Sequence, residues 1–159
     1  TIAAVNGPAV GAGINLALAC DIRIAAQSAK FDTRFMAIGI HPGGGHTWML
    51  QRAVGWQEAN AMLLLGQVLN GQQAVEKGLA RECVEDDQLI DRAKAMVSYT
   101  RHYPKALLVE TKASLQSTRW MPSHAEAVDL EYQAQIESLQ QPEAVAALTA
   151  LYEKIRGKS

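Results

Sequence analysis

Cysteine, excess charge and long apolar runs are all scarce in this chain, and each scarcity removes a class of function. Its 159 residues include two cysteines, Cys20 and Cys83, too few for a disulfide framework and without metal-ligand spacing. Both read as reduced, buried thiols of a cytoplasmic protein. Fifteen basic residues face sixteen acidic ones, for a formal net charge of −1. That balance offers no electrostatic attraction to nucleic acid or to an anionic membrane surface. No apolar run approaches the roughly 18 residues that span a bilayer, and no signal-peptide pattern is visible. His41 and His46, five positions apart, do not make a convincing metal site.

What is present is an ordinary globular composition, 48% hydrophobic and 19% charged, enough for one domain with a real core. The opening stretch carries the most information. Thr1 to Val5 reads as a short strand, broken by Asn6-Gly7-Pro8. Gly11-Ala12-Gly13 then leads into an apolar run, Ile14 to Cys20, that reads as a buried helix. The first amides of a helix have no intrahelical partner and lie at the positive end of its dipole. Glycines there let an electron-rich ligand approach the backbone, as stabilisation of an oxyanion requires.

Further along, Ile22 to Ala26 reads as a second strand and Gln27 to Lys30 as a polar turn, followed by Phe31. His41-Pro42-Gly43-Gly44-Gly45-His46-Thr47 is a glycine-rich loop entering a helix. Helical segments are expected over 48–54, ending at Gly55, and over 58–65, ending at Gly66. Asn70 and Gln73 have the spacing of a capping box for a helix over 71–77, stopped by Gly78. Residues 81–84 suit a brief extended piece. Asp86 is expected to cap a helix over 87–100 whose apolar face is Leu89, Ile90, Ala93, Met96 and Val97. Pro104 opens the next helix, with Leu107, Leu108, Thr111 and Leu115 inward. Ser123 and Glu126 predict a second capping box for a helix reaching Gln140, and Pro142 begins a last helix to Ile155.

The segment A-A-V-N-G-P-A-V-G-A-G-I-N-L-A-L-A-C-D resembles the central motif of the crotonase superfamily, the enoyl-CoA hydratase/isomerase group. The likeness continues through F-M-A-I-G-I-H-P-G-G-G-H-T and L-L-L-G-Q-V-L-N-G-Q-Q-A-V-E-K-G-L-A, and weakens but persists to the C-terminal Ala-Leu-Tyr-Glu-Lys. It implies a mixed α/β (α+β-like) fold, the C-terminal part of a spiral of short strands, with core and glycine loops over 1–66 and a helical region over 67–159. In that family the C-terminal helices pack subunits into trimers, often paired as hexamers. The resemblance also implies a preceding half, with the first strands and a second oxyanion amide. Thr1 to Val5 is therefore expected to find neighbours in residues outside this sequence or in another chain.

The same resemblance implies an acyl-CoA thioester as substrate, with coenzyme A as part of the substrate and no other cofactor. It places an oxyanion amide at Ala12, between Gly11 and Gly13, and a loop amide at Gly43, beside Gly44. Residues 32–40 would line the acyl pocket. The two glutamates that hold water in the family's hydratases fall at Asn15 and Phe35. Neither side chain can move a proton near neutral pH, so ordinary hydration is not expected. His41, His46 and Asp32 are the candidates to carry the proton instead, imidazole being the natural acid or base near neutrality. Phe35 could instead pack an acyl chain. Two readings follow: an enzyme that stabilises a thioester enolate through backbone amides, or an acyl-CoA-binding protein that has lost its proton-transfer groups. His102, His124 and Cys20-Asp21 read as structural.

Overall fold

The computed structural model describes residues 1–157. Two compact units divide the chain, Thr1–Tyr99 and a second beginning at Thr100. Among the described residues, the first holds all the buried side chains and the second is helical.

The first unit is built on two three-stranded sheets. One has the order β1 (Ile2–Val5), β3 (Ile22–Ala26), β6 (Glu82–Val84), all parallel, with Ile2 beside Ile22 and Ile24 beside Glu82. The other has the order β2 (Pro8–Val10), β4 (Lys30–Asp32), β5 (Leu69–Asn70); β2 runs parallel to β4 and β5 antiparallel to it. Apart from Arg23, whose guanidinium donates to the Leu79 and Cys20 carbonyls, the central strand β3 is apolar on both faces because both faces are covered, as parallel sheets require. Ile24 and Ala26 pack with Leu89, and the alternate residue Ala25 joins the main core with Phe31, Leu50, Met62 and Leu69.

Helix α1 (Ala12–Ala19) turns Ile14 and Ala17 into that core. Helix α2 (His46–Leu64) supplies Leu50, Ala59, Met62 and Leu63. Its two halves are the two expected helices, meeting at Gly55, where φ 79° and ψ 172° interrupt the helical backbone. Helix α3 (Gly71–Glu76) begins with the expected capping box: the Gln73 N–H donates to Asn70 Oδ1 at 2.8 Å, and the Asn70 N–H donates to Gln73 Oε1 at 3.0 Å. Its first residue lies so close to β3 that a Cβ on Gly71 would stand 2.3 Å from the Ala26 carbonyl oxygen. Helix α4 (Leu89–Ser98) closes the outer face of the first sheet through Leu89, Ala93 and Met96. Arg92 fixes it to β6, its Nε and Nη2 donating to the two Glu82 carboxylate oxygens at 2.6 and 2.7 Å. In the second unit, α5 (Lys105–Thr118) packs against α6 (His124–Leu139), and α6 against α7 (Pro142–Arg156).

Several expectations change. The break at residues 6–8 is shorter than expected, because Pro8 already starts β2, its missing N–H being harmless at a strand start. The compact core continues past residue 66 to Tyr99, because β5 and β6 pair with β4 and β3. The remainder is therefore not all helical. Asp86 does not cap α4: its carboxylate accepts the Ser28 N–H at 3.0 Å, and residues 86–88 and 99–102 form 3₁₀ turns around a shorter helix. Ile90 and Val97 are not inward but 55% and 48% exposed. Ser123 makes no side-chain cap bond. Leu107, Leu108 and Leu115 are exposed rather than inward, and Cys20 and Cys83 are half-buried free thiols.

Candidate functional site

The residues singled out by the sequence fall on three pieces of backbone: the start of α1, the segment after β4, and the glycine loop before α2. Gly11 precedes α1 with φ 51° and ψ −112°, a conformation that side chains disfavour. Its N–H donates to the Asp32 carbonyl at 2.9 Å, which ties α1 to the end of β4. Ala12 is the first helical residue, so its N–H has no intrahelical acceptor. A Cβ placed on Gly13 or Gly43 would meet no atom within 4 Å, so space lies open beside both backbones.

Asn15, in the first turn of α1, is joined to the glycine loop by every polar atom of its side chain. Its Nδ2 donates to the Gly43 carbonyl at 2.9 Å and to the Gly44 carbonyl at 3.4 Å. Its Oδ1 lies 2.5 Å from His46 Nδ1. Two carbonyl oxygens require the nitrogen on their side, so the oxygen faces the histidine and can only accept. The His46 proton is therefore on Nδ1 and its lone pair on Nε2. His46 is 1% exposed. Burial holds its pKa below the ordinary imidazole value, so the ring is neutral at pH 7. Nε2 is buried without a hydrogen-bond partner.

Phe35 fills the space between these parts. Its ring meets the His46 ring edge-on, with centroids 4.8 Å apart, and its tip would lie 3.7 Å from a Cβ on Gly11. Gly44, at φ 64°, is confined by the same assembly, since a Cβ there would stand 2.8 Å from Asn15 Nδ2. The structure thus brings together Gly11, Asn15, Phe35, Gly43, Gly44 and His46. Ala12 and Gly13 stand beside Gly11 at the start of α1, whereas the side chains of Asp32 and His41 are engaged elsewhere. The Asp32 carboxylate pairs with Arg34, whose Nε donates to Oδ2 at 2.9 Å. His41 is exposed on the loop, and its Nδ1 donates to the Pro42 carbonyl at 2.8 Å, which leaves Nε2 as the basic nitrogen.

The pairing of Asn15 with His46 was not anticipated, because the two lie on different elements and no local spacing links them. The resemblance offers half of the signal, since Asn15 stands where the family's hydratases carry a glutamate. Among the described residues, no three His, Cys, Asp or Glu side chains gather as metal ligands, and no helix is long and apolar enough to cross a membrane. A groove between α5 and α6, lined by Leu107, Thr111, Leu115 and Ala134 among others, contains none of the predicted site residues.

This geometry can be set beside known proteins. A probable enoyl-CoA hydratase of Mycobacterium tuberculosis, echA14, is 45% identical over 155 residues, covering 94% of this chain and 60% of its own length. The crystal structure of an enoyl-CoA hydratase from Bacillus anthracis superposes with a TM-score of 0.88 at 29% identity, over 96% of this chain and 59% of that one. A candidate enoyl-CoA hydratase from Thermobifida fusca, solved in complex with acetoacetyl-CoA, gives a TM-score of 0.82 at 33% identity, over 87% of this chain and 54% of that one. The chain thus spans about three-fifths of the length of that curated relative. The family model described as enoyl-CoA hydratase/isomerase matches residues 1–158. With that match, the strand and helix order and the glycine loops agree on one conclusion: the chain belongs to the enoyl-CoA hydratase/isomerase family, within the crotonase superfamily.

Proposed function

We propose that this protein binds an acyl-CoA thioester and stabilises negative charge on its carbonyl oxygen through the Ala12 N–H. The observation that carries the reading is the free first amide of α1, with open backbone at Gly13 on the same helix and Gly43 on the facing loop. Such a donor is worth about 3–4 kcal/mol to an oxyanion in a dry site. It serves any chemistry that passes through a thioester enolate or oxyanion, including isomerisation, decarboxylation and thioester hydrolysis. Family relatives solved with CoA and acetoacetyl-CoA support the class of ligand.

Ordinary hydration fits poorly. Asn15, with Nδ2 and Oδ1 both engaged, is an amide that cannot take a proton from a water, and Phe35 has no polar atom at all. Asp32 is held by Arg34, and the His46 Nε2 is buried behind Phe35. His41, with Nε2 unengaged on an exposed loop, is the group left to carry a proton. A second reading, a non-catalytic acyl-CoA-binding protein, is favoured by that same loss of polar groups around Phe35. In both readings coenzyme A enters with the substrate and no other cofactor is used. Assembly into trimers or hexamers is supported by the exposed apolar residues of the second unit.

The test uses the protein at its full natural length. Trans-2-enoyl-CoA thioesters of short and long chain are mixed with it, and loss of the conjugated thioester absorbance is followed. Little or no hydration is expected, with acetoacetyl-CoA binding retained and isomerisation or hydrolysis of other thioesters as the activity sought. Ala12→Pro removes the amide while proline suits the first helical position. It should lower any turnover about 100- to 1,000-fold. Fast hydration would overturn the argument from Asn15 and Phe35. Failure to bind any acyl-CoA would overturn the proposal as a whole.

A further inference from the structure

We propose that His46 is a positioning residue, which acts through Asn15 to fix the glycine loop against the start of α1 and to set which way the loop's peptide groups face. The role of the loop in holding a thioester rests on the function proposed above; the clamp itself does not.

The chain of contacts is continuous. His46 Nδ1–H donates to Asn15 Oδ1, and this orients the carboxamide so that Nδ2 reaches the Gly43 and Gly44 carbonyls. The His46 backbone N–H also donates to the Gly43 carbonyl, at 3.2 Å, so this oxygen takes two donors. A trans peptide holds its N–H opposite its carbonyl, and the described chain has no cis peptide. With both carbonyls drawn toward Asn15, the N–H groups of Gly44 and Gly45 point away from it. The clamp therefore presents two amides on the other side of the loop. Glycine is needed at 44 because the carboxamide comes so close.

This contact set explains why residue 15 is an amide. A carboxylate could accept from His46 but would place negative oxygen against two carbonyl oxygens. Asparagine alone offers an acceptor to the histidine and donors to the loop at this length. It also explains a buried histidine with an orphaned Nε2. The orphan costs stability, since a buried acceptor has given up its water, and it is tolerated because the other nitrogen orients the carboxamide.

Two readouts test the inference on the full-length protein. In His46→Phe the ring shape remains and the donor is lost; in His46→Asn a donor remains near the Nδ1 position. By NMR, His46→Phe should speed exchange of the Asn15 side-chain amide protons about tenfold, the loss expected for one hydrogen bond, and shift the Gly44 and Gly45 amide resonances. His46→Asn should stay close to the parent protein on both counts. Where a thioester is turned over, His46→Phe should lower kcat about tenfold with little change in KM, and His46→Asn should recover most of it. Unchanged exchange and shifts in His46→Phe would overturn the clamp. So would equal loss of kcat in both variants together with loss of a limb of the pH profile, since His46 would then carry the proton. Should His46→Phe fail to fold, Asn15→Asp reads the same question: it should disturb the Gly44 and Gly45 resonances, and their constancy would overturn the proposal. If no thioester is bound or turned over, the proposed function fails while the exchange measurement still decides the clamp.

Discussion

At the residue scale, the chemistry of this chain depends on which polar atoms are already engaged. His46 is the clearest case, and its burial carries a stability consequence. Desolvation holds its pKa below the ordinary value of 6.5. Between the two values the unfolded chain binds a proton at His46 and the folded chain does not. Stability therefore rises with pH in that window. The contribution is complete above about pH 6.5 and is lost as pH falls through the folded value. Thermal unfolding at about pH 7.5 and 5.5 should show a larger drop for the parent protein than for His46→Asn; equal drops would contradict the assignment. Little of this was legible beforehand. The sequence marked Asn15 and Phe35 as departures from the family pattern and His41 and His46 as candidates to carry a proton, but an asparagine and a histidine on separate elements give no periodic signal. Asp86 shows the same limit: its position suited a helix cap, yet the Ser28 N–H, brought near by the fold, takes the carboxylate.

At the scale of elements, local signals served well wherever the partner lay within one turn. The Asn70–Gln73 capping box forms as written in the sequence, and Gly55 interrupts α2 where a stop was expected. The two-residue strand β5 and the three-residue β2 were not legible, because they exist only through their pairing with β4. Gly71 joins the two kinds of information. Its place after the cap is local, but its need to be glycine comes from the Ala26 carbonyl and the Cys83 sulfur, which a Cβ would approach to 2.3 and 2.8 Å. Gly71→Ala should therefore force α3 away from β3 and destabilise the protein by about 1–3 kcal/mol in urea unfolding. An unchanged midpoint would mean that α3 can shift without loss. The same closeness helps to make Cys83 a poor nucleophile, since burial, first among the causes, raises its thiol pKa.

For the whole molecule, the two units differ in what sustains them. The first has a continuous core around Phe31, Leu50 and Met62. In the second, no described residue is buried, and Leu115, Tyr132, Leu151 and Ile155 are more than half exposed. Three helices without a core cannot balance their ordering entropy. A fragment from Thr100 onward should accordingly show weak helical circular dichroism and a broad, uncooperative melt. A sharp transition in that fragment would show that the helices sustain one another.

The parallel sheet has a consequence in time as well as in space. No hairpin joins its strands: Ile2 must find Ile22, and Ile24 must find Glu82. Pairings so distant along the chain make for slow folding. During synthesis, β3 emerges with one edge that stays open until β6 has left the ribosome. Through that interval Ile24, Ala25 and Ala26, all fully buried at the end, are exposed to water and to neighbouring nascent chains. The order of translation, as much as the final packing, then decides how much of this protein escapes aggregation.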